Sequence, residues 1–103
     1  MAQAEYHVSD LPGSALEASA HFYAEHLQAA SQAIGQDDLV IILPPADYKH
    51  SDWRRALARD LAREYTPARV NVIAARDDTQ KLALIAYLSD AKGVTGHYVE
   101  SHD

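Results

Sequence analysis

Tyr48 and Lys49 are adjacent in the sequence and are the two side chains most suggestive of acid–base chemistry. A tyrosine hydroxyl can donate a proton in a reaction when a lysine ammonium lies close enough to lower its pKa. Adjacent residues on a helix point about 100° apart, which keeps the Lys49 ammonium away from the Tyr48 hydroxyl. The spacing therefore argues against a catalytic pair and predicts that these residues do not form an active site.

The position of the two residues favours binding over catalysis. Residues 44–50 follow the apolar run 39–43, which we predict to be the central strand of a mostly parallel sheet. Open α/β sheets bind ligands at the carboxyl ends of their strands, and Arg76 follows the next predicted strand. Tyr48, Lys49 and Arg76 are the candidate residues that could converge there on a small anion. A structural connector that binds nothing is the default alternative.

His21 and Glu25 are one turn apart on a predicted helix. A histidine and a carboxylate at this spacing could in principle ligate a metal ion. Both residues fall on the side of the helix that we expect to face water, or at its margin. A solvated surface is therefore the favoured interpretation, and we predict no metal site.

Arg55, Arg59 and Arg63 recur every four residues, which places three guanidinium groups on one side of a helix. Such a stripe could bind an anion. The favoured alternative is a solvated face that forms ion pairs with Asp52 and with the acidic side of the first helix. Each such surface pair contributes at most ~1 kcal/mol to stability.

The composition is that of one small domain, which we place at residues 1–103. Fifteen Asp and Glu residues against nine Lys and Arg give a net charge of −6, which disfavours binding to nucleic acids and to anionic membrane surfaces. The chain has no cysteine, and we find neither a secretory leader nor an apolar run long enough to span a membrane. We therefore expect a cytoplasmic protein.

Apolar periodicity predicts four short strands that alternate with three helices, an order typical of α/β folds. The strands are predicted at 5–8, 39–43, 69–74 and 98–99, and the helices at 14–34, from about 51 to before Pro67, and from about 77 to 88. Ser14 and Glu17 form a capping box that begins the first helix, and Gly35 ends it. We expect a three-layer, Rossmann-like half-sheet of three to four mostly parallel strands with helices on both faces.

The first predicted helix is apolar on two sides. One stripe, which we expect to face the sheet, comprises Leu16, Ala20, Tyr23, Leu27, Ala30 and Ile34. A second stripe lies about a third of a turn away and comprises Ala15, Ala18, Phe22, Ala29 and Ala33. Because a helix with two apolar sides has two surfaces to cover, we predict that the second stripe packs against another subunit in a homo-oligomer.

Three short motifs occur in a particular order in the second half of the chain. Leu61-Ala62-Arg63-Glu64 lies on a predicted helix, Arg69-Val70-Asn71 begins the next strand, and Thr95-Gly96 precedes the last one. In this order they resemble the closing stretch of a short-chain dehydrogenase/reductase. The resemblance is good from about Trp53 to the end, weaker from Ser14 to Leu43, and absent before Ser14. It implies the half of that fold described above, with subunits that pair through the first two helices.

The reaction of that family requires residues that this chain lacks or displaces. A dinucleotide site needs clustered glycines so that backbone N–H groups can approach the pyrophosphate, and the four glycines here are dispersed. Counted back from Ala62, the family's catalytic Tyr and Lys fall on Asp47 and Ser51, and its Ser falls on residues 43–45. We therefore predict no cofactor and no dehydrogenase activity.

The leading functional hypothesis is a non-catalytic, oligomerising or scaffolding protein derived from this fold. Two binding roles stay open beside it. The chain could be a partner or regulator of a full-length dehydrogenase, or a small-ligand module at the carboxyl end of the central strand. A small enzyme that uses Tyr48 and Lys49 is a further alternative, and it would have to bind a dinucleotide.

Overall fold

Helices and strands alternate along the chain in the computed structural model, which describes residues 3–35 and 37–101. The strands are β1 (Gln3–His7), β2 (Asp38–Leu43), β3 (Val70–Ala74) and β4 (Tyr98–Glu100). The helices are α1 (Ala15–Glu25), α2 (Leu27–Ile34), α3 (Ser51–Glu64) and α4 (Asp78–Asp90), and a 3₁₀ turn (Tyr48–His50) leads into α3. Among these residues no helix combines the length and the hydropathy that a membrane span requires.

The four strands form one parallel sheet in the order β1-β2-β3-β4. Every residue of β2 and β3 is buried, as expected for apolar runs in a sheet that is covered on both faces. Leu39, Ile41 and Leu43 face the core beneath α1, α2 and α3, whereas Val40 and Ile42 face α4. The predicted three-layer α/β half-sheet is confirmed.

Two helices begin at side-chain caps, the first of which is the predicted capping box. The hydroxyl of Ser14 accepts a hydrogen bond from the N–H of Glu17 at 3.1 Å and donates to the Glu17 carboxylate at 3.0 Å. The carboxylate of Asp77 accepts from the N–H of Gln80 at 2.8 Å at the start of α4. Each cap satisfies a backbone donor that has no partner within the helix, and such caps typically contribute about 1 kcal/mol.

The predicted first helix is in fact two helices, because the chain breaks at His26. The φ and ψ of this residue are −122° and −25°, outside the helical region, and its Nδ1 lies 2.9 Å from the Tyr6 hydroxyl of β1. In an unbroken helix Phe22 and Ile34 would point about 120° apart. The break rotates α2 relative to α1, so that both side chains enter the same core.

This break corrects the predicted roles of the two apolar stripes. Ala18 and Phe22, which the sequence pattern places on a subunit-facing stripe, are fully buried inside the domain. The remaining members of that stripe are partly buried or exposed: Ala15, Ala29 and Ala33. Leu16, which the pattern places against the sheet, is 86% exposed, and Tyr23 is exposed beside it. The prediction that Ala18 and Phe22 contact a second subunit is therefore wrong.

The connection from β3 through α4 to β4 has the opposite hand to the two connections before it. All three step across the sheet in the same direction, but α4 covers one face while α1, α2 and α3 cover the other. Connections between parallel strands are right-handed in about 98% of cases. The exceptional handedness of the β3–α4–β4 connection therefore has to be stabilised by specific contacts.

The loop of residues 91–97 supplies these contacts where the chain returns from α4 to the sheet. The N–H of Val70 donates to the Thr95 hydroxyl at 3.0 Å, and the N–H of Gly96 donates to the carbonyl oxygen of Val70 at 2.7 Å. The side-chain amide of Asn71 bonds to the backbone of the same loop twice, at 3.0 and 3.1 Å. The Arg-Val-Asn and Thr-Gly motifs therefore have a structural role, since they fix this loop to the start of β3.

Candidate functional site

Three cavities lie along the edge of the sheet at which the strands end. Their volumes are about 290, 360 and 40 Å³, and Pro45, which follows β2, lines all three. We call the first of them the edge cavity. It lies between residues 10–13, residues 44–47, His50 and Arg54. Loops from two strands and the start of α3 thus meet at this cavity.

Arg54 lines the inner side of the edge cavity and is only 1% exposed. It lies on the same side of α3 as three apolar residues that are buried against the sheet: Leu57, Ala58 and Leu61. Spacings of three and four residues produce this common side. Helix α3 therefore carries a cationic group into the protein interior.

The guanidinium of Arg54 is held by two hydrogen bonds and two aromatic rings. Its Nη1 donates to the carbonyl oxygen of Pro44 at 2.9 Å and to the hydroxyl of Tyr98 at 3.0 Å. Its central carbon lies 5.4 Å from the ring centroid of Trp53 and 5.6 Å from that of Tyr98, within the range of cation–π attraction. The Nε atom is buried and has no hydrogen-bond partner in the described part of the chain.

Within the described residues, the charge of Arg54 has no direct counter-charge. Between residues 3–35 and 37–101 no carboxylate comes within ion-pair distance of its guanidinium. Asp10 and Asp47 line the edge cavity, but Asp47 accepts the N–H of Lys49 at 3.0 Å. Buried charges are ordinarily paired, because moving an isolated charge out of water is costly. Arg54 is therefore a buried cation beside a cavity whose described lining also carries two carboxylates.

His50 fixes the aromatic side of the site. It is buried, and its Nε2 lies 3.0 Å from the carbonyl oxygen of Gly13. The indole N–H of Trp53 donates to its Nδ1 at 3.2 Å. Since Nδ1 accepts this hydrogen bond, the proton lies on Nε2, which donates to Gly13. The two bonds join the β1–α1 loop to α3 and hold Trp53 beside Arg54.

Tyr98 supplies a neutral acceptor to Arg54. Burial raises the pKa of the Tyr98 hydroxyl above its ordinary value, while the charge and the hydrogen bond of Arg54 act in the opposite direction and Glu100 adds to the rise. The hydroxyl is therefore protonated at neutral pH. It accepts a hydrogen bond from Arg54 and is itself hydrogen-bonded to the Glu100 carboxylate, so the nearest negative charge on this side is one hydroxyl away from the guanidinium.

The structure does not bring Tyr48, Lys49 and Arg76 together in one cavity. Tyr48 and Lys49 lie in the 3₁₀ turn, where Tyr48 is 80% exposed and Lys49 is exposed as well. Arg76 lines the 40 Å³ cavity, together with Pro45 and Glu100. The three residues lie at the expected edge of the sheet, but the buried cation at this edge is Arg54.

Arg54 carries a signal in the sequence that identifies it as a buried residue. It stands three, four and seven residues before Leu57, Ala58 and Leu61, which is the spacing of a single buried stripe. An arginine at the head of such a stripe has to be accommodated in the interior. The neighbouring residues at four-residue steps, Arg55, Arg59 and Arg63, are exposed.

The two residues considered as metal ligands lie on the surface of α1. In residues 3–35 and 37–101 no group of three or more His, Asp or Glu is arranged to hold a metal ion. The ring of His21 packs against that of His26, with ring centroids 5.5 Å apart, and Glu25 is exposed. This region therefore contributes ring packing around the break between α1 and α2.

A comparison with known families finds a match that covers most of the chain. A family model described as "Short chain dehydrogenase-like protein" matches residues 6–101, from the end of β1 to the residue after β4. No curated protein and no solved structure gives a significant match to the chain. The match thus covers almost the whole chain and leaves its activity to be argued from the site itself.

Proposed function

The chain belongs to the family of short chain dehydrogenase-like proteins, and we propose that it is a non-catalytic member that binds a small anion in the edge cavity. The observation that carries this proposal is the burial of the Arg54 guanidinium with no carboxylate partner in the described residues. An anion in the cavity supplies the missing negative charge and accepts hydrogen bonds from the guanidinium.

The walls of the edge cavity favour an anion with a single charge and a short apolar part. Asp10 and Asp47 add negative charges that repel a ligand of higher charge. Leu11, Pro12 and Pro44, on the same two loops, offer apolar surface. A small monocarboxylate meets both conditions, and carboxylates bind guanidinium groups with paired hydrogen bonds.

The residues at the cavity support a role without catalysis. Asp47 and Ser51 stand where the family resemblance places the proton-donating tyrosine and its lysine, and neither can replace those groups. Among the described residues, the lining of the edge cavity contains no tyrosine and no lysine. A carbonyl group bound there would meet no positioned donor of the kind that the family's hydride transfer requires.

A nicotinamide dinucleotide, which the family resemblance implies, does not fit the residues of this edge. Backbone N–H groups can approach a pyrophosphate closely where glycines leave room for it. The loop between β1 and α1 has one glycine, Gly13, and a Cβ added there would meet no atom within 4 Å. Its lack of a side chain therefore opens no cradle for phosphate, and the proposed function involves no dinucleotide.

The substitution Arg54→Met is expected to remove anion binding while the protein stays folded. Methionine keeps an unbranched side chain between Trp53 and Tyr98 but removes the charge and the donors. Acetate is the probe, and the single indole N–H signal of Trp53 in an NMR titration reports binding beside Arg54. The wild-type signal should shift at millimolar acetate, and the variant should bind at least about tenfold more weakly.

Two variants serve as controls for this titration. Arg54→Lys keeps the charge but loses the forked donor geometry, so it should bind acetate with intermediate affinity. Lys92→Met lowers the net charge by the same amount at an exposed position on the α4–β4 loop and should behave like the wild type. A wild-type Trp53 signal that does not move with acetate would rule out the edge cavity as the site.

Homodimerisation is a second proposed function, which the exposed apolar side of α1 favours. Leu16 and Tyr23 are exposed on this side, two turns apart. Tyr23 also belongs to a groove of about 250 Å³ between α1, α2 and α3, whose other apolar lining residues are Leu27, Leu57, Leu61 and Tyr65. The family resemblance implies pairing through these helices, so we propose that a second copy of the chain covers the groove.

The double variant Leu16→Glu/Tyr23→Glu is expected to be monomeric, because it would bury two unpaired carboxylates in the proposed interface. Light scattering coupled to size-exclusion chromatography measures the mass. Burial and the nearby Asp60 carboxylate raise the pKa of Tyr23, so a further acidic group at this position meets an environment that already disfavours negative charge.

Leu82→Glu is the matched control for this experiment. Leu82 is 65% exposed on α4, in the layer on the opposite face of the sheet, and its substitution should leave the dimer intact. A dimer that survives the double variant would contradict the proposed face. Co-purification of wild-type monomer with a full-length dehydrogenase would instead identify that protein as the partner of these helices.

A further inference from the structure

A groove on the far side of α3 from the proposed dimer face gathers three arginines. Its volume is about 580 Å³, and it runs between α3 and the loop that precedes β4. Arg55, Arg59 and Arg63 line it from the helix, while Thr95 and His97 line it from the loop. We call it the basic groove.

Gly96 and Ala62 make room for the groove. The φ of Gly96 is +76°, a conformation that favours glycine over residues with a side chain. A Cβ at this position would lie 3.4 Å from the Cβ of Ala62, so the loop and the helix approach closely here. Both residues line the groove, and their small size leaves space between the longer side chains around them.

The basic groove has little internal compensation for its charge. Arg55 lies 3.6 Å from Asp52, whose side chain is fully exposed. Within the described ranges, 3–35 and 37–101, no ion pair joins Arg59 or Arg63 to a carboxylate, and the residues that line the groove include no Asp or Glu. The expected neutralisation of this stripe by the acidic side of the first helix is therefore not found.

We propose that the basic groove binds a small ligand that carries two or more phosphate groups. Guanidinium groups bind phosphate oxygens through paired, charge-assisted hydrogen bonds. The hydroxyl of Thr95 accepts from the N–H of Val70, so its own proton is available to a ligand. Arg55 and Arg63 are about 12 Å apart along the helix axis, so a single phosphate engages only part of the stripe.

A short ligand suits this groove better than a nucleic-acid strand does. The net charge of −6 repels a polyanion wherever it extends beyond the three arginines. The volume of the groove falls in the range of about 300–1,000 Å³ that is typical of small-molecule sites. The positive charge is therefore local, and it matches a ligand whose negative charge is equally compact.

Inorganic tripolyphosphate is the probe that tests this site. Titration calorimetry at a salt concentration of about 0.15 M should show binding to the wild-type protein. The double variant Arg59→Gln/Arg63→Gln should bind at least about tenfold more weakly, because two of the three guanidinium groups are lost. Orthophosphate should bind the wild type more weakly than tripolyphosphate, since it spans less of the stripe.

Lys92→Gln/Lys81→Gln is the matched control, because it removes two positive charges outside the groove and should leave tripolyphosphate binding unchanged. Wild-type protein that binds no tripolyphosphate at millimolar concentration would overturn the proposal. So would binding that the arginine double variant retains and that Arg54→Met removes, because the ligand would then occupy the edge cavity. The acetate titration at Trp53 is a separate readout, so the two proposed sites can fail independently.

Discussion

Replacing Arg69 with methionine is expected to lower the free energy of unfolding by about 3–5 kcal/mol, measured by urea denaturation with circular dichroism. Arg69 immediately precedes β3 and is buried with Asp38, the first residue of β2. Its Nε donates to Asp38 Oδ2 at 3.0 Å, and its backbone N–H donates to Oδ1 at 2.8 Å. Without the guanidinium, the Asp38 carboxylate stays buried and its charge is left uncompensated.

The same guanidinium also holds the carboxyl end of α4. Its Nη1 donates to the carbonyl oxygens of Leu88 at 2.8 Å and Ala91 at 2.7 Å. Carbonyl groups in the last turn of a helix lack partners within the helix and carry partial negative charge, which a cation stabilises. Arg69 therefore joins β2, β3 and α4. Its loss weakens the β3–α4–β4 connection, which has the exceptional handedness.

Two control variants distinguish the loss of this buried ion pair from the loss of a charge at the surface. Lys81→Met removes a pair with the exposed Asp78 at 3.3 Å and should cost less than about 1 kcal/mol. Asp38→Leu/Arg69→Met removes both buried charges and should recover part of the stability that Arg69→Met loses. An Arg69→Met protein as stable as the Lys81→Met protein would contradict the structural role of this pair.

The central strands and the helix starts are predictable from the sequence because their signals are local. A strand covered on both faces requires an apolar residue at nearly every position, and the run from Leu39 to Leu43 meets that condition. Ser14 and Asp77 cap helices through backbone groups only three residues away. Nothing distant in the chain has to be known to place these elements.

The break at His26 depends on contacts that periodicity does not contain. Residues 15–34 are rich in alanine, so the stripes differ little in hydrophobicity and the buried side is poorly defined. Tyr6, twenty residues before His26, bonds to its ring, and this contact lies where the helix axis changes. The side of α1 that faces the core is then the side that carries Phe22, and the side of α2 that faces the core is the side that carries Ile34.

The location of the candidate site follows from strand order, but its central residue does not. Parallel strands end at one edge, so residues after Leu43 and Ala74 are expected to meet there. Arg54 becomes buried because α3 packs deeply on the sheet and Tyr98, 44 residues later, lies against its guanidinium. A charged residue in a helix is ordinarily assigned to the surface. The spacing of Leu57, Ala58 and Leu61 places Arg54 on the buried side of α3, but it does not show which groups receive the guanidinium.

Replacing Phe22 with alanine is expected to lower the free energy of unfolding by about 3–5 kcal/mol without a specific effect on subunit association. Phe22 is fully buried, and its ring centroid lies 6.0 Å from that of Trp53 and 5.7 Å from that of His26. The substitution leaves a cavity between α1, α3 and the break at His26, where the packed rings cannot collapse fully. Urea denaturation at several protein concentrations measures the loss.

Leu16→Ala, in the same helix, is expected to weaken subunit association and to leave the stability of the monomer nearly unchanged. Leu16 is exposed, so the substitution should change the stability of the monomer by less than about 0.5 kcal/mol while it weakens the proposed dimer. Core and interface are thereby tested by two residues six positions apart. A Phe22→Ala protein that keeps wild-type stability but dissociates into monomers would show that Phe22 contacts a second subunit. That result would contradict the burial of Phe22 inside the domain.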